Sequence, residues 1–252
     1  MPMKALHARL EESPVVYNGW LHIPSTLTAS LMANGGYSAV TVDMQHGAID
    51  DASMFEVLST LAQSPTLPLV RVAANDPAAV MRALDAGAVG VICPLIDDAE
   101  ACGRFVDACY YPPVGGRSWG PLRARAAYGA YEPAEVNEIV ASFAMIETRA
   151  GLDAVEAIAA TPGLTGLLVG PSDLSFALKG DPTVDFAWPP LVEALERVLD
   201  ACRLNDLVPG IFTTNAVDAK RVSELGFRLV TMGTDAGLLE RQIGEAFAAL
   251  YD

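Results

Sequence analysis

The sequence predicts an α/β protein of the (β/α)8 barrel, or TIM-barrel, class. Three observations lead there. The chain has 252 residues, a length at which a single barrel is common and two ordinary domains would be cramped. Eight short apolar runs alternate with helix-period segments from end to end. Several of the runs are almost unbroken, as parallel strands covered on both faces are. The alternative is a doubly wound sheet. It is disfavoured because no GxGxxG follows the first run and no linker divides the chain, so residues 1–252 are expected to form one domain.

The elements follow in order. Met1–Glu12 reads as an amphipathic helix with charges throughout, without the apolar stretch and small-residue cleavage site of a signal peptide. Strands are predicted at Val15–Leu21, Ser38–Asp43, Leu67–Val72, Ala88–Cys93, Phe143–Glu147, Gly166–Val169, Leu207–Phe212 and Arg228–Met232. Helices are predicted at Ser25–Asn34, Asp51–Gln63, Asp76–Ala86, Asp97–Cys109, Gly151–Ala160, Pro190–Asn205, Asn215–Leu225 and Ala236–Leu250. Asn75-Asp76-Pro77 and Thr214-Asn215 carry capping side chains at helix starts, and Gly87 and Gly226 stand where helices stop before the next strand. The stretch Tyr110–Glu132 is irregular, with Pro112-Pro113, Trp119 and the arginines Arg117, Arg123 and Arg125. A loop of that length in a compact domain is usually functional or ordered by a neighbour.

Composition narrows the function. Hydrophobic residues make up 52% and charged residues 19%, which excludes intrinsic disorder. A net charge of −15 repels phosphate backbones and anionic bilayers, so neither nucleic acid nor membrane is an expected partner. No run reaches the roughly 18 apolar residues of a membrane span. Cys93, Cys102, Cys109 and Cys202 form no CxxC pair and read as reduced core thiols, which points to a cytoplasmic enzyme.

In a barrel the chemistry sits at the C-terminal ends of the strands. There the sequence places Asp43-Met44-Gln45-His46 after strand two, Arg71 on strand three, Glu147 after strand five, Gly170-Pro171-Ser172-Asp173 after strand six and Phe212 at the end of strand seven. Glu147 and Asp173 offer hard oxygen ligands with no zinc-like His or Cys beside them, a set suited to Mg2+ or Mn2+, with Co2+ also compatible. Such an ion is chelated by a 2-oxo acid and polarises its ketone. Arg71 adds positive charge at the same developing oxyanion. The Gly170 turn lets backbone N–H groups approach a ligand carboxylate. Gln45, Ser172 and Phe212 are candidates for direct substrate contact at this mouth. His7 and His22 are expected to be structural or surface residues. The three lysines, Lys4, Lys179 and Lys220, are none of them placed on a strand as a Schiff-base lysine would be.

These residues carry a resemblance. Val42-Asp43-Met44-Gln45-His46-Gly47, Val70-Arg71-Val72 with Asn75-Asp76-Pro77, Leu84-Asp85-Ala86-Gly87-Ala88, Tyr111-Pro112-Pro113 with Gly116-Arg117, Ile146-Glu147-Thr148-Arg149 and Gly170-Pro171-Ser172-Asp173-Leu174-Ser175 resemble, in order and spacing, the HpcH/HpaI aldolases. These are metal-dependent class II pyruvate aldolases on a barrel of the phosphoenolpyruvate/pyruvate type. The sub-type most similar is the bacterial hydroxyketoacid aldolases. The resemblance implies that Glu147 and Asp173 bind the metal and that Arg71 contacts the donor's keto oxygen. It implies that His46, oriented by Asp43, handles protons, with Asp85 joining from an adjacent subunit, and that the backbone around Ser172 holds the donor carboxylate. It also implies a homo-oligomer, a hexamer built as a trimer of dimers that exchange the last helix. The chain departs from many members in having Gln45, not Glu, before the histidine. The arginines Arg117, Arg123 and Arg125 are candidates for binding an acidic acceptor. The expected activity is reversible cleavage of a 4-hydroxy-2-oxo acid to pyruvate, or hydroxypyruvate, and an aldehyde. Rival readings are an oxaloacetate decarboxylase or CoA-thioester lyase on the same metal site, and a non-catalytic 2-oxo-acid-binding barrel.

Overall fold

The computed structural model describes residues 6–121, 123–125 and 132–251. Parts of the predicted N-terminal helix (1–5, with Lys4) and of the irregular stretch (122 and 126–131) lie outside the described residues. Eight strands run β1 (Val16–Leu21), β2 (Ala39–Asp43), β3 (Leu67–Arg71), β4 (Gly90–Cys93), β5 (Ala141–Ile146), β6 (Gly166–Val169), β7 (Val208–Thr213) and β8 (Leu229–Thr234). Each pairs in parallel with the next, and β1 pairs with β8, which closes the barrel. Each strand lies within about two residues of its predicted span, because apolar runs covered on both faces leave little ambiguity.

The described helices are α1 (Leu6–Glu12), α2 (Thr26–Asn34), α3 (Asp51–Leu61), α4 (Pro77–Asp85), α5 (Ala99–Cys109), α6 (Pro133–Ile139), α7 (Arg149–Asp153), α8 (Val155–Ala159), α9 (Pro171–Lys179), α10 (Pro189–Leu204), α11 (Ala216–Leu225) and α12 (Asp235–Ala248). Asp76 caps α4 with Pro77 in its first turn, and the Asn215 side chain accepts from the Asp218 amide to cap α11. Gly226 ends α11 at φ 117°, where any Cβ would be strained. Helices α6 and α9 are not among the predicted elements. Each opens with proline, which reads as turn punctuation in sequence yet suits the first helical position, where no N–H is needed. The single helix expected at Gly151–Ala160 is instead α7 and α8, broken at Ala154.

Side chains alternate along the strands, and this parity builds the interior. Leu6 and Leu10 of α1 pack with Val16, Ala39, Leu67 and Leu229 in one buried cluster, closing the N-terminal end of the barrel. Above them Asn18 donates to Thr41 and Thr231 in a buried polar layer (2.9 and 3.0 Å). Higher still come Trp20, Asp43 and Arg71, at the mouth.

Candidate active site

Asp43 is the hub of the mouth. It ends β2 on the inward parity, paired in register with Arg71 of β3. Its side chain is fully buried. Arg71 donates through Nε (2.9 Å) and Nη2 (2.6 Å), the Trp20 indole N–H at 3.1 Å, and His22 Nε2 lies 2.9 Å from Oδ2. The backbone amides of Gln45 and His46 add bonds of 3.0 and 3.3 Å. Burial alone would raise this carboxyl. The bonds from His22 and Arg71, the Arg71 charge and the Trp20 N–H outweigh it and hold Asp43 well below the usual carboxylate range. Arg71 also stacks over the Trp20 ring at 5.0 Å, and Trp20 meets Phe212 edge-on at 5.3 Å.

Glu147 follows β5 and is equally buried, 3% exposed. It accepts one bond, from the backbone N–H of Leu95 (2.8 Å). Leu95 adopts a left-handed φ of 54° to present that N–H. Burial, joined by the charge of Asp173, pushes the Glu147 carboxyl up, against the Leu95 N–H and the Arg71 charge. Gly170 makes room for it: a Cβ there would stand 2.7 Å from Glu147 Oε2. Gly170 also caps α9 without a side-chain bond, so the first amides of that helix, from Ser172 onward, face the mouth.

A cavity of about 190 Å3 opens here, walled by Trp20, His22, His46, Arg71, Gly170, Ser172, Asp173 and Phe212, among others. Larger grooves of about 550 and 580 Å3 elsewhere gather no comparable set of strand-end polar groups. The donor set fits a hard divalent cation. Glu147 has an acceptor oxygen with no protein donor, Asp173 is exposed beside it, and each carboxyl would be relieved of the other's charge by a cation between them. Among the described residues no group of three or more His, Cys, Asp or Glu side chains gathers for a metal, so water and substrate would complete the coordination.

Three expectations, on Asp43, Arg117 and Gln45, need correction, and the fold leaves Asp85 to a neighbouring subunit's mouth. Asp43 does not orient the His46 ring; its carboxylate is turned inward to Arg71 and His22 and reaches His46 only through the backbone amide. The His46 ring is exposed and bonds to no described side chain. Asp85 ends α4, at the far end of the barrel from the mouth, and is bound by Arg117 (2.7 Å). It does not reach His46 within one protomer. Arg117 is itself buried and stacked on Tyr111 at 4.4 Å, so it is not free for an acceptor. Gln45 does not line the cavity; its side-chain oxygen is buried without a partner. Sequence reasoning also missed His22. The signal was its parity: Val16, Asn18 and Trp20 point inward, and His22 is the next residue of that set.

A closed barrel with carboxylates, an arginine and histidines at its strand ends defines a barrel enzyme acting at the C-terminal face. The chain belongs to the HpcH/HpaI aldolase/citrate lyase family, whose model matches residues 20–241. It is 34% identical over 230 residues to a hydroxypyruvate/pyruvate aldolase of Rhizorhabdus wittichii, covering 91% of this chain and 92% of that protein. It is 31% identical over 237 residues to a 4-hydroxy-2-oxo-heptane-1,7-dioate aldolase of Salmonella dublin, covering 92% and 88%. The crystal structure of an HpcH/HpaI aldolase/citrate lyase family protein from Burkholderia cenocepacia matches with a TM-score of 0.88 at 33% identity, covering 98% of this chain and 99% of that one. The chain is therefore a carbon–carbon lyase of the class II aldolase type, a type that is generally metal-dependent. No helix among the described residues is long and apolar enough to cross a membrane.

Proposed function

We propose that this enzyme cleaves a 4-hydroxy-2-oxo acid to pyruvate or hydroxypyruvate and an aldehyde, reversibly, with Mg2+ or Mn2+ (Co2+ also fits) held by Glu147 and Asp173. The observation that carries the reading is Glu147. It is a buried carboxyl with one protein donor, facing the charge of Asp173, which lines the same cavity as Arg71. A bound cation would act as a Lewis acid on the donor's ketone. Arg71, fixed on Asp43, contacts the keto oxygen and stabilises the charge that develops there. The Ser172 amide and its neighbours in the first turn of α9 hold the donor carboxylate, with Gly170 and Pro171 shaping the approach. His46 moves the proton at the donor carbon; its exposed ring is free to reach it.

The same reading includes an oligomer in the cytoplasm, a hexamer as a trimer of dimers that exchange α12. Leu239, Ile243 and Phe247 are 56%, 50% and 58% exposed along one face of α12, which touches its own barrel through its first turn. A second copy that covers this face is also what would be needed to bring Asp85 to a mouth.

The test is pyruvate release from a panel of 4-hydroxy-2-oxo acids, using metal-stripped protein with EDTA and then with Mg2+ or Mn2+ restored. Release that depends on added metal is expected. Undiminished release in EDTA overturns the metal role, and no release from any member overturns the aldolase reading. His46→Ala should exchange the methyl protons of pyruvate with deuterated water about 10²–10⁴-fold more slowly than wild type; equal exchange removes His46 from that role.

A further inference from the structure

We infer that His22 carries the proton of the acceptor oxygen, paired with Asp43, as a second proton-handling group distinct from His46. The inference rests on the aldolase reading above and deepens it. Three observations support it.

The first is the pair itself. His22 Nε2 lies 2.9 Å from the fully buried Asp43 carboxylate. When Nε2 carries the ring proton, Nδ1 is the remaining acceptor, and it bonds to no described residue. Arg71 shares the same carboxylate, so Asp43 stays ionised and stabilises the charged ring when His22 takes a proton. Among the described residues of one protomer, His46 by contrast has no carboxylate on its ring.

The second is that His22 is held in place. Its backbone N–H donates to Asp235 (2.8 Å), and its carbonyl accepts from the Ala48 amide (2.8 Å). Gly47 lets the β2 loop wrap it closely: a Cβ there would stand 3.2 Å from His22 Cα. A ring fixed through both backbone and side chain needs little reorganisation to act.

The third is its position. Donor-binding groups come from β3, β5 and β6, and in a ring of eight strands β1 lies opposite β5. His22 follows β1 and shares the cavity wall with Phe212 of β7, on the side left for the aldehyde.

In cleavage, Nδ1 of neutral His22 accepts the proton of the 4-hydroxyl. The C3–C4 bond breaks, its electron pair stays with the donor half as the enolate, and the O–H pair becomes the new carbonyl bond. The enolate takes a proton at C3 from His46, and both rings then exchange protons with solvent. Nothing is oxidised or reduced.

The experiment compares wild type with His22→Gln and His22→Asn, whose amides can still donate to Asp43 but are not bases. Two rates are measured with metal present: exchange of pyruvate methyl protons in deuterated water, and cleavage of a 4-hydroxy-2-oxo acid. Cleavage is expected to fall about 10²–10⁴-fold, the usual effect of a positioned base. Exchange and the KM for pyruvate should stay within about 2-fold of wild type, which also reports that fold and donor site are intact. Cleavage within a few-fold of wild type overturns the proposal. So does a parallel loss of cleavage and exchange, which would make His22 a support for Asp43 and Arg71. Absence of metal-dependent exchange in wild type would sink the underlying aldolase reading instead, so the two failures are separable.

Discussion

Asp43 and Glu147 occupy corresponding positions at the mouth, one at the end of β2 and one just past β5, and both are buried. Their surroundings are opposite. Asp43 accepts from Arg71, Trp20 and two backbone amides and pairs with His22, and is held deeply ionised. Glu147 accepts one backbone N–H, faces the charge of Asp173 and is pushed towards its neutral form. Equal burial therefore does not mean equal role. A saturated carboxylate organises the protein groups around it, whereas one with few partners has bonding capacity left for something the chain does not supply.

The largest expected effect separates the two on that ground. Glu147→Gln should abolish metal-dependent turnover, because it removes one of two anionic ligands to a hard cation. In EDTA the variant should melt no lower than wild type, since it discards a desolvated charge. Added Mn2+ should raise the melting temperature of wild type and not of the variant. A variant that keeps its activity, or melts well below wild type in EDTA, makes Glu147 a structural residue like Asp43.

Asp43→Asn should behave the other way. It leaves Arg71 buried without its carboxylate, and breaking such a pair typically costs about 3–5 kcal/mol. Urea denaturation in EDTA measures this; a loss under about 1 kcal/mol would mean the hub is not needed for folding. Arg71→Ala should lower turnover by about 10²–10³, as loss of an oxyanion donor does. Arg71→Lys should recover only part, since an ammonium cannot reproduce the two-nitrogen grip on Asp43.

The pH dependence follows from the lowered carboxyl. A group whose folded pKa lies below its unfolded value contributes stability above the unfolded pKa and loses it as pH falls towards the folded one. Wild-type stability should therefore decline as pH drops below roughly 4, the ordinary Asp range. The decline should be shallower in Asp43→Asn. Identical slopes would locate the acid sensitivity in other carboxyls.

The strands, and so the barrel, were legible because buried parallel strands write themselves as apolar runs. The strand-end rule then found Asp43, Arg71, Glu147 and Asp173. What it did not find lies in the direction of side chains. Nothing local tells that the Asp43 carboxylate turns to His22 and away from the His46 ring; that depends on β1 and β3 flanking β2. His22 is legible by the same strand-end rule, because it follows Leu21 of β1 directly. Helix α9 was hidden by Gly170-Pro171, whose turn chemistry is also what opens the helix. Asp85 shows the opposite limit. Its partner Arg117 lies 32 residues on, within the irregular stretch, and no spacing argument predicts that contact.

The smallest expected effect tests the side of the mouth that neither carboxyl governs. Phe212 meets Trp20 edge-on and belongs to two walls at once. It borders the cavity with Arg71 and His22, and also a second cavity of about 240 Å3 lined by Pro182, Val184 and Phe186. With Pro171 and Ser172 it is shared by both walls. Phe212→Ala should join the two spaces and let longer apolar aldehydes enter. Their kcat/KM relative to a two-carbon aldehyde should rise about 10-fold, the scale on which apolar pockets discriminate by size. Exchange of pyruvate protons should be unchanged, because the donor is held from β3, β5 and β6. If every aldehyde is affected equally while the melting temperature falls, the ring serves only to fill the barrel against Trp20. The acceptor would then have to be selected elsewhere, with His22 the first residue to examine.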